Sequence, residues 1–100
     1  MEMSPIADVQ TLYREVGEIA AWLRLHSHQD LATALDNSLL EGATGLEITG
    51  AIRTVLRDIL GDPRFQDSEV TERMRRCVRY IDYLWGDPVR DDNPYAQHKQ

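Results

Sequence analysis

Four stretches of this chain repeat apolar residues every three or four positions, and short polar breaks separate them. That pattern constrains the fold more than any other feature. Val9, Leu12, Val16, Ile19 and Leu23 form the first stripe, spaced by three, four, three and four residues. Such spacing lays one apolar face along an α-helix and is incompatible with the strict alternation of a half-buried strand. Leu31, Ala34, Leu35, Ser38 and Leu39 form the second stripe. Ile48, Ile52, Val55 and Ile59, flanked by Ala51, Leu56 and Leu60, form a third and wider one. Val70, Met74, Cys77, Val78, Ile81 and Leu84 form the fourth. The expected fold class is therefore all-α, a small up-down bundle of about four helices, with the third helix most central. The connections are only a few residues long, so consecutive helices must run roughly antiparallel.

The punctuation between stripes supports the same division. Ser4-Pro5 reads as an N-cap followed by a proline at the first helical position, which starts helix one and carries it to about His26. Ser27, with Asp30 three residues on, resembles a capping box for helix two, and Gly42 is placed to end that helix in the left-handed conformation. Thr44-Gly45-Leu46-Glu47 is a full Thr-x-x-Glu box opening helix three, which Gly61-Asp62-Pro63 stops. Asp67 or Ser68 caps helix four, and Gly86-Asp87-Pro88 ends it. A domain over residues 1–86 is expected, followed by a polar tail over 87–100 that carries Pro94 and no periodicity.

Several function classes are disfavoured. The single cysteine, Cys77, allows no internal disulfide and falls within an apolar stripe, as a small core residue would. No signal-peptide pattern opens the chain and no apolar run reaches the roughly 20 residues that span a bilayer, so a cytoplasmic protein without a membrane partner is expected. His26 and His28 lie about 200° apart around a helix, which suits no shared metal. Phosphate-binding, nucleophile-elbow and zinc-protease motifs are absent, so neither an enzyme nor a cofactor is expected. Arg73, Arg75, Arg76 and Arg79 resemble a nucleic-acid patch, but Glu69, Glu72 and Asp82 stand at pairing distances along the same helix. With a formal charge of -6, the chain repels phosphate and attracts basic partners.

The charge is unevenly spread. Between Arg24 and Arg53 there is no lysine or arginine, whereas Asp30, Asp36, Glu41 and Glu47 all fall there. Asp58 and Asp62 extend the run if helix three packs alongside helix two. A surface of one sign steers an oppositely charged protein and sets its orientation. Asp36, Glu41 and Glu47 are the expected centre of a partner-binding face, with Asp30, Asp58 and Asp62 at its edge. Tyr13, Trp22 and Trp85 flank their stripes, where they complete either the core or a homodimer or adaptor surface, so a monomer and a homodimer both remain open.

The segment Leu40-Glu41-Gly42-Ala43-Thr44-Gly45-Leu46-Glu47-Ile48, continued by Ile52-Arg53, Leu56 and Ile59-Leu60, resembles a stretch of small helical bacterial immunity proteins. These belong to contact-dependent growth inhibition and related polymorphic-toxin systems. The resemblance covers about a quarter of the chain and implies a protein that sequesters a cognate toxin domain, commonly a nuclease. The tyrosine-rich signature of colicin-nuclease immunity proteins has only a superficial echo in Tyr80-Ile81-Asp82-Tyr83. Because the Thr44 box satisfies two otherwise orphaned donors, Thr44→Ala should lower stability by about 1 kcal/mol in urea denaturation.

Overall fold

The computed structural model describes residues 5–40, 42, 44–65 and 68–86. Four α-helices follow in order: α1 (Val9–Leu25), α2 (Gln29–Ser38), α3 (Gly45–Leu60) and α4 (Glu69–Trp85). A single 3₁₀ turn, Pro63–Phe65, lies between the last two. No strand occurs among the described residues, and none of their helices is long and apolar enough to cross a membrane. The fold is a small helical bundle. Each helix packs against its sequence neighbours, and α4 closes the ring onto α1.

Residues with essentially no exposure come from every helix: Leu12, Val16, Ile19 and Leu23 from α1, Ala32 and Leu35 from α2, Ile52, Leu56 and Ile59 from α3, and Met74, Cys77 and Ile81 from α4. The expected stripes are recovered with a rotation of one position in places. In α2, Ala32 is buried while Leu31, Ala34 and Leu39 are only half-buried; in α3, Thr49 is buried while Ile48 and Val55 sit at the margin. The third helix is not the most central. It buries four residues, against six each for α1 and α4. The reason is geometric: in a ring of four, every helix has two neighbours, and the inward arc is set by both together.

Helix ends follow local chemistry, with three departures from the sequence reading. Helix α1 begins at Val9, four residues after Pro5. Asp8 is its cap, its Oδ1 accepting from the Thr11 N–H at 2.7 Å, while Ile6 just upstream is buried in the core. Ser4 lies outside the described residues. Ser27 does not cap α2. It takes a left-handed φ of 69°, so that the Ser27 N–H reaches the Arg24 carbonyl at 3.3 Å and the His28 N–H reaches Leu23 at 2.8 Å. These two bonds form a Schellman motif, which satisfies carbonyls that α1 would otherwise leave bare. His28 then occupies the N-cap of α2 without a side-chain bond.

Gly42 is not left-handed either, because α2 has already ended at Ser38 with Leu39 right-handed behind it. Its lack of a side chain serves close approach: a Cβ there would overlap the Glu47 Cβ and come within 2.9 Å of the Ile48 nitrogen. The remaining signals hold. Thr44 and Glu47 form the reciprocal box, Ser68 Oγ accepts from the Thr71 N–H at 3.2 Å, and Gly86 ends α4 with φ 72°. Thr71 is fully buried and donates to the Phe65 carbonyl at 2.8 Å, fixing the 3₁₀ turn against α4. The expected tail over 87–100 lies outside the described residues.

The seam between α1 and α4 carries a partly buried ion cluster. Arg73 donates to both oxygens of Glu15, at 2.6 and 3.1 Å, and also reaches Glu18; Arg76 stands 3.7 Å from Glu15. The pairing of Glu69 with Arg73 and of Glu72 with Arg76 along α4 is thus replaced by contacts to α1, while Glu72 pairs with Arg75 and Arg79. Burial pushes the Glu15 carboxyl up, but the Arg73 hydrogen bonds and the Arg73 and Arg76 charges outweigh it and hold it below the usual glutamate range. The Arg76 Nε is buried without a hydrogen-bond partner among the described residues. Cys77 lies beside this cluster, and burial pushes its thiol up to about 12, which makes it inert as a nucleophile.

Two expectations follow. Glycine adopts the left-handed conformation without the penalty that a Cβ imposes, so Ser27→Gly should raise stability by about 0.5–1 kcal/mol and the melting temperature by a few degrees. Because the Glu15 carboxyl is depressed in the folded state, its stabilisation is complete above the unfolded value near 4.5 and fades as pH falls through the folded value. Glu15→Gln should cost about 2 kcal/mol at neutral pH and flatten the acid limb, as read by urea denaturation at neutral and acid pH.

Candidate functional site

The five described carboxylates among the six singled out in the sequence fall at two ends of the α2–α3 pair. Asp36, on α2, turns toward α1 and pairs with Arg24 at 2.7 Å. Glu47, exposed in the first turn of α3, is engaged in the capping box, its Oε1 accepting from the Thr44 N–H at 3.2 Å. Glu41 lies outside the described residues. Of the expected centre, the two described residues, Asp36 at the end of α2 and Glu47 at the start of α3, are thus both engaged by groups of the chain itself. Asp36 is neutralised by an arginine from the preceding helix, a contact that only packing of α1 against α2 creates.

The three edge residues instead gather at the other end of the α2–α3 pair. Asp30 is in the first turn of α2, Asp58 in the last turn of α3, and Asp62 just beyond it. Asp30 and Asp58 are exposed and make no ion pair among the described residues. Asp62 accepts from the Arg64 backbone N–H at 2.9 Å and from its guanidinium at 2.8 Å. Those bonds, with a smaller contribution from His28, hold the Asp62 carboxyl below the usual range. The charge of Asp30 reaches Arg64 as well, which links α2 to this loop. Three carboxylates thus lie at this end of the bundle with Arg64 from the loop and with Arg57, beside Asp58 in the last turn of α3 and paired with Asp82.

Aromatic rings pack at the same end, where the charge of His28 acts on Asp62. His26 stacks on Trp22 at 3.9 Å between ring centroids, and its Nδ1 lies 2.8 Å from the Trp22 carbonyl. His28 lies nearly parallel to the same indole at 6.4 Å and packs against Phe65 at 4.9 Å. The sequence reading put the two histidines about 200° apart around one helix. The left-handed turn at Ser27 breaks the helix between them, so both rings come to the Trp22 side. Among the described residues no three His, Cys, Asp or Glu side chains assemble into a group that could hold a metal ion. Leu25, 83% exposed, completes this end.

The histidine–tryptophan stack and the role of Phe65 were not read from the sequence. The spacing of Trp22 and His26 by four was an available signal. The Phe65 contact was not, since it depends on the loop after α3 folding back over the α1–α2 turn.

This end offers Leu25 and His26 as exposed surface and Trp22 and His28 half-buried, with Phe65 buried against His28 and carboxylates on the neighbouring helix ends. Apolar side chains together with charge are the composition of a protein-binding surface. Compared with protein-family models, with curated proteins and with solved structures, the chain matches none.

Proposed function

We propose that this chain is a binding protein that neutralises a basic protein toxin, as an immunity protein does, by covering it with the acidic end of the bundle. The observation that carries this reading is that Asp30 and Asp62 act on Arg64, with Asp58 exposed in the last turn of α3, at the end of the bundle where His26 stacks on Trp22 and His28 packs against Phe65. A nuclease must present a basic cleft to phosphate, and a folded acidic surface matches that cleft in sign while offering no bond to cut. The resemblance of residues 40–48 to immunity proteins supports the same class of activity. Its described residues run from Leu40 and the start of α3 along that helix to Ile59-Leu60, so the resemblance bears on the class and the acidic pole on the contact.

The partner is basic and has to approach the α1–α2 turn and the end of α3 together. Carboxylates around the rim accelerate encounter, and the aromatic centre slows release.

The test looks for a toxin domain encoded beside this chain, where the toxin of an immunity protein is expected, and uses that domain as the partner; the absence of such a neighbour would remove the toxin reading. Asp30→Lys combined with Asp58→Lys should slow association at least about ten-fold at low salt and flatten its dependence on ionic strength, because steering acts mainly on the on-rate. Asp36→Asn, which removes a charge already paired with Arg24, should change the on-rate little. Stopped-flow association and a growth-rescue assay read both effects. An unaltered on-rate and salt slope in the double variant would remove the acidic pole from the contact.

A further inference from the structure

Two histidines flank one left-handed residue at the acidic end of the bundle. His26 is the C-cap of α1 and His28 the N-cap of α2, and Ser27, at φ 69°, stands between them. The Schellman turn therefore fixes the backbone of both, whatever protons their rings carry.

One nitrogen of His26 is already committed. Its Nδ1 lies 2.8 Å from the Trp22 carbonyl, which can only accept, so this nitrogen bears a hydrogen and donates it. The ring rests on the indole at 3.9 Å with 15° between the planes, and the residue is exposed. A second proton goes to Nε2 and leaves the bond to the carbonyl in place. The charge it creates lies over an indole and beside the last carbonyls of α1, and a cation is well placed at both.

His28 is half-buried, nearly parallel to the same indole at 6.4 Å and packed against Phe65 at 4.9 Å. Its charge acts on Asp62. The other charged groups described at this end are Arg24, paired with Asp36 across α1 and α2, and Asp30 in the first turn of α2. Arg57 and Asp58 stand in the last turn of α3, and Asp62 with Arg64 in the loop after it. Carboxylates and guanidinium groups hold their charges between about pH 5.5 and 8, the interval in which an imidazole gains or loses one. Two imidazoles therefore stand among groups of fixed charge.

We infer that this end of the bundle is proton-regulated: protons taken up by His26 and His28 offset the charge of Asp30, Asp58 and Asp62, and its hold on a basic partner weakens as pH falls through the histidine range. The consequence for binding rests on the acidic-end reading above. The protonation itself is read without any partner.

Trp22 supplies that readout. An imidazolium in contact with an excited indole accepts an electron from it and quenches its emission. In a Trp85→Phe background, which leaves Trp22 as the one indole, emission should fall by roughly half between about pH 8 and 5.5, and His26→Gln should remove most of the fall. Binding is measured by calorimetry at low salt with decalysine, a basic probe whose own charge is constant over this interval. The peptide should bind about three- to ten-fold more weakly near pH 5.5 than near pH 8, since each exposed charge pair is worth a factor of a few. His26→Gln combined with His28→Gln should hold that difference within about two-fold, and raising salt to about 0.5 M should erase it. His98 is common to both proteins, so the comparison isolates the pair at the turn. His26→Gln alone, at an exposed ring, should remove about half of the difference and leaves the Phe65 contact of His28 intact. Circular dichroism confirms that each variant is folded. Flat Trp22 emission across the interval would overturn the inference and leave the acidic-end reading standing, as would equal losses of affinity in the parent and the double-histidine variant. Decalysine binding near pH 8 that ignored Asp30→Lys with Asp58→Lys would instead remove the acidic-end reading, and the regulation with it, even where the emission titrates.

Discussion

The bundle depends on the contact between its first and last helices. The pairings of α1 with α2, α2 with α3 and α3 with α4 are all promoted by short connections, which leave each helix little choice but to fold back on the one before. Nothing local brings α4 to α1. That closure rests on side chains: Leu12, Val16 and Ile19 share one buried cluster with Met74, Cys77 and Ile81, and at its edge Glu15 holds Arg73 with two hydrogen bonds and attracts Arg76. An ion pair in a partly buried seam gains little net stability once desolvation is counted, but it strongly disfavours any register that leaves Glu15 unpartnered. The same pairing removes Arg73 and Arg76 from the surface and with them most of the apparent basic patch on α4.

Closure also sorts the remaining charge. Arg24, Arg53, Arg57, Arg64, Arg73, Arg75, Arg76 and Arg79 each find a carboxylate. The excess of acid is left in few places, and two of its members, Asp30 and Asp58, fall at one pole. The other end, where α3 starts and α4 stops, presents Leu46, Leu84 and Trp85 among its exposed side chains.

Much of the fold was legible in the residues. Four helices, the Thr44–Glu47 box, the Ser68 cap, the Gly86 terminator and the burial of Cys77 were all visible, because each is decided within a turn or two of chain. The errors share a cause. Ser27 looks like an N-cap, yet the end of α1 makes a stronger demand on the same residue, and two carbonyls seeking donors win over one hydroxyl seeking a donor. Pro5 looks like a first helical residue, but Ile6 is drawn into the core and the helix waits for Asp8. The acidic site was half legible: the absence of positive charge between Arg24 and Arg53 is a fact of sequence, while Arg24 reaching across to Asp36 is a fact of packing.

Sequence alone therefore determined the helical class, most helix boundaries, the excess of negative charge and which residues are apolar, since period, capping and composition act over a few ångströms along the chain. Tertiary structure alone decided which arginine answers which carboxylate, which of the six acidic residues meet at one pole, and that His26 and His28 share the face of Trp22. Those outcomes depend on groups far apart in the chain, such as Glu15 and Arg73, which are 58 positions apart. Coulomb forces and ring contacts act between neighbours in space, whichever helices supply them.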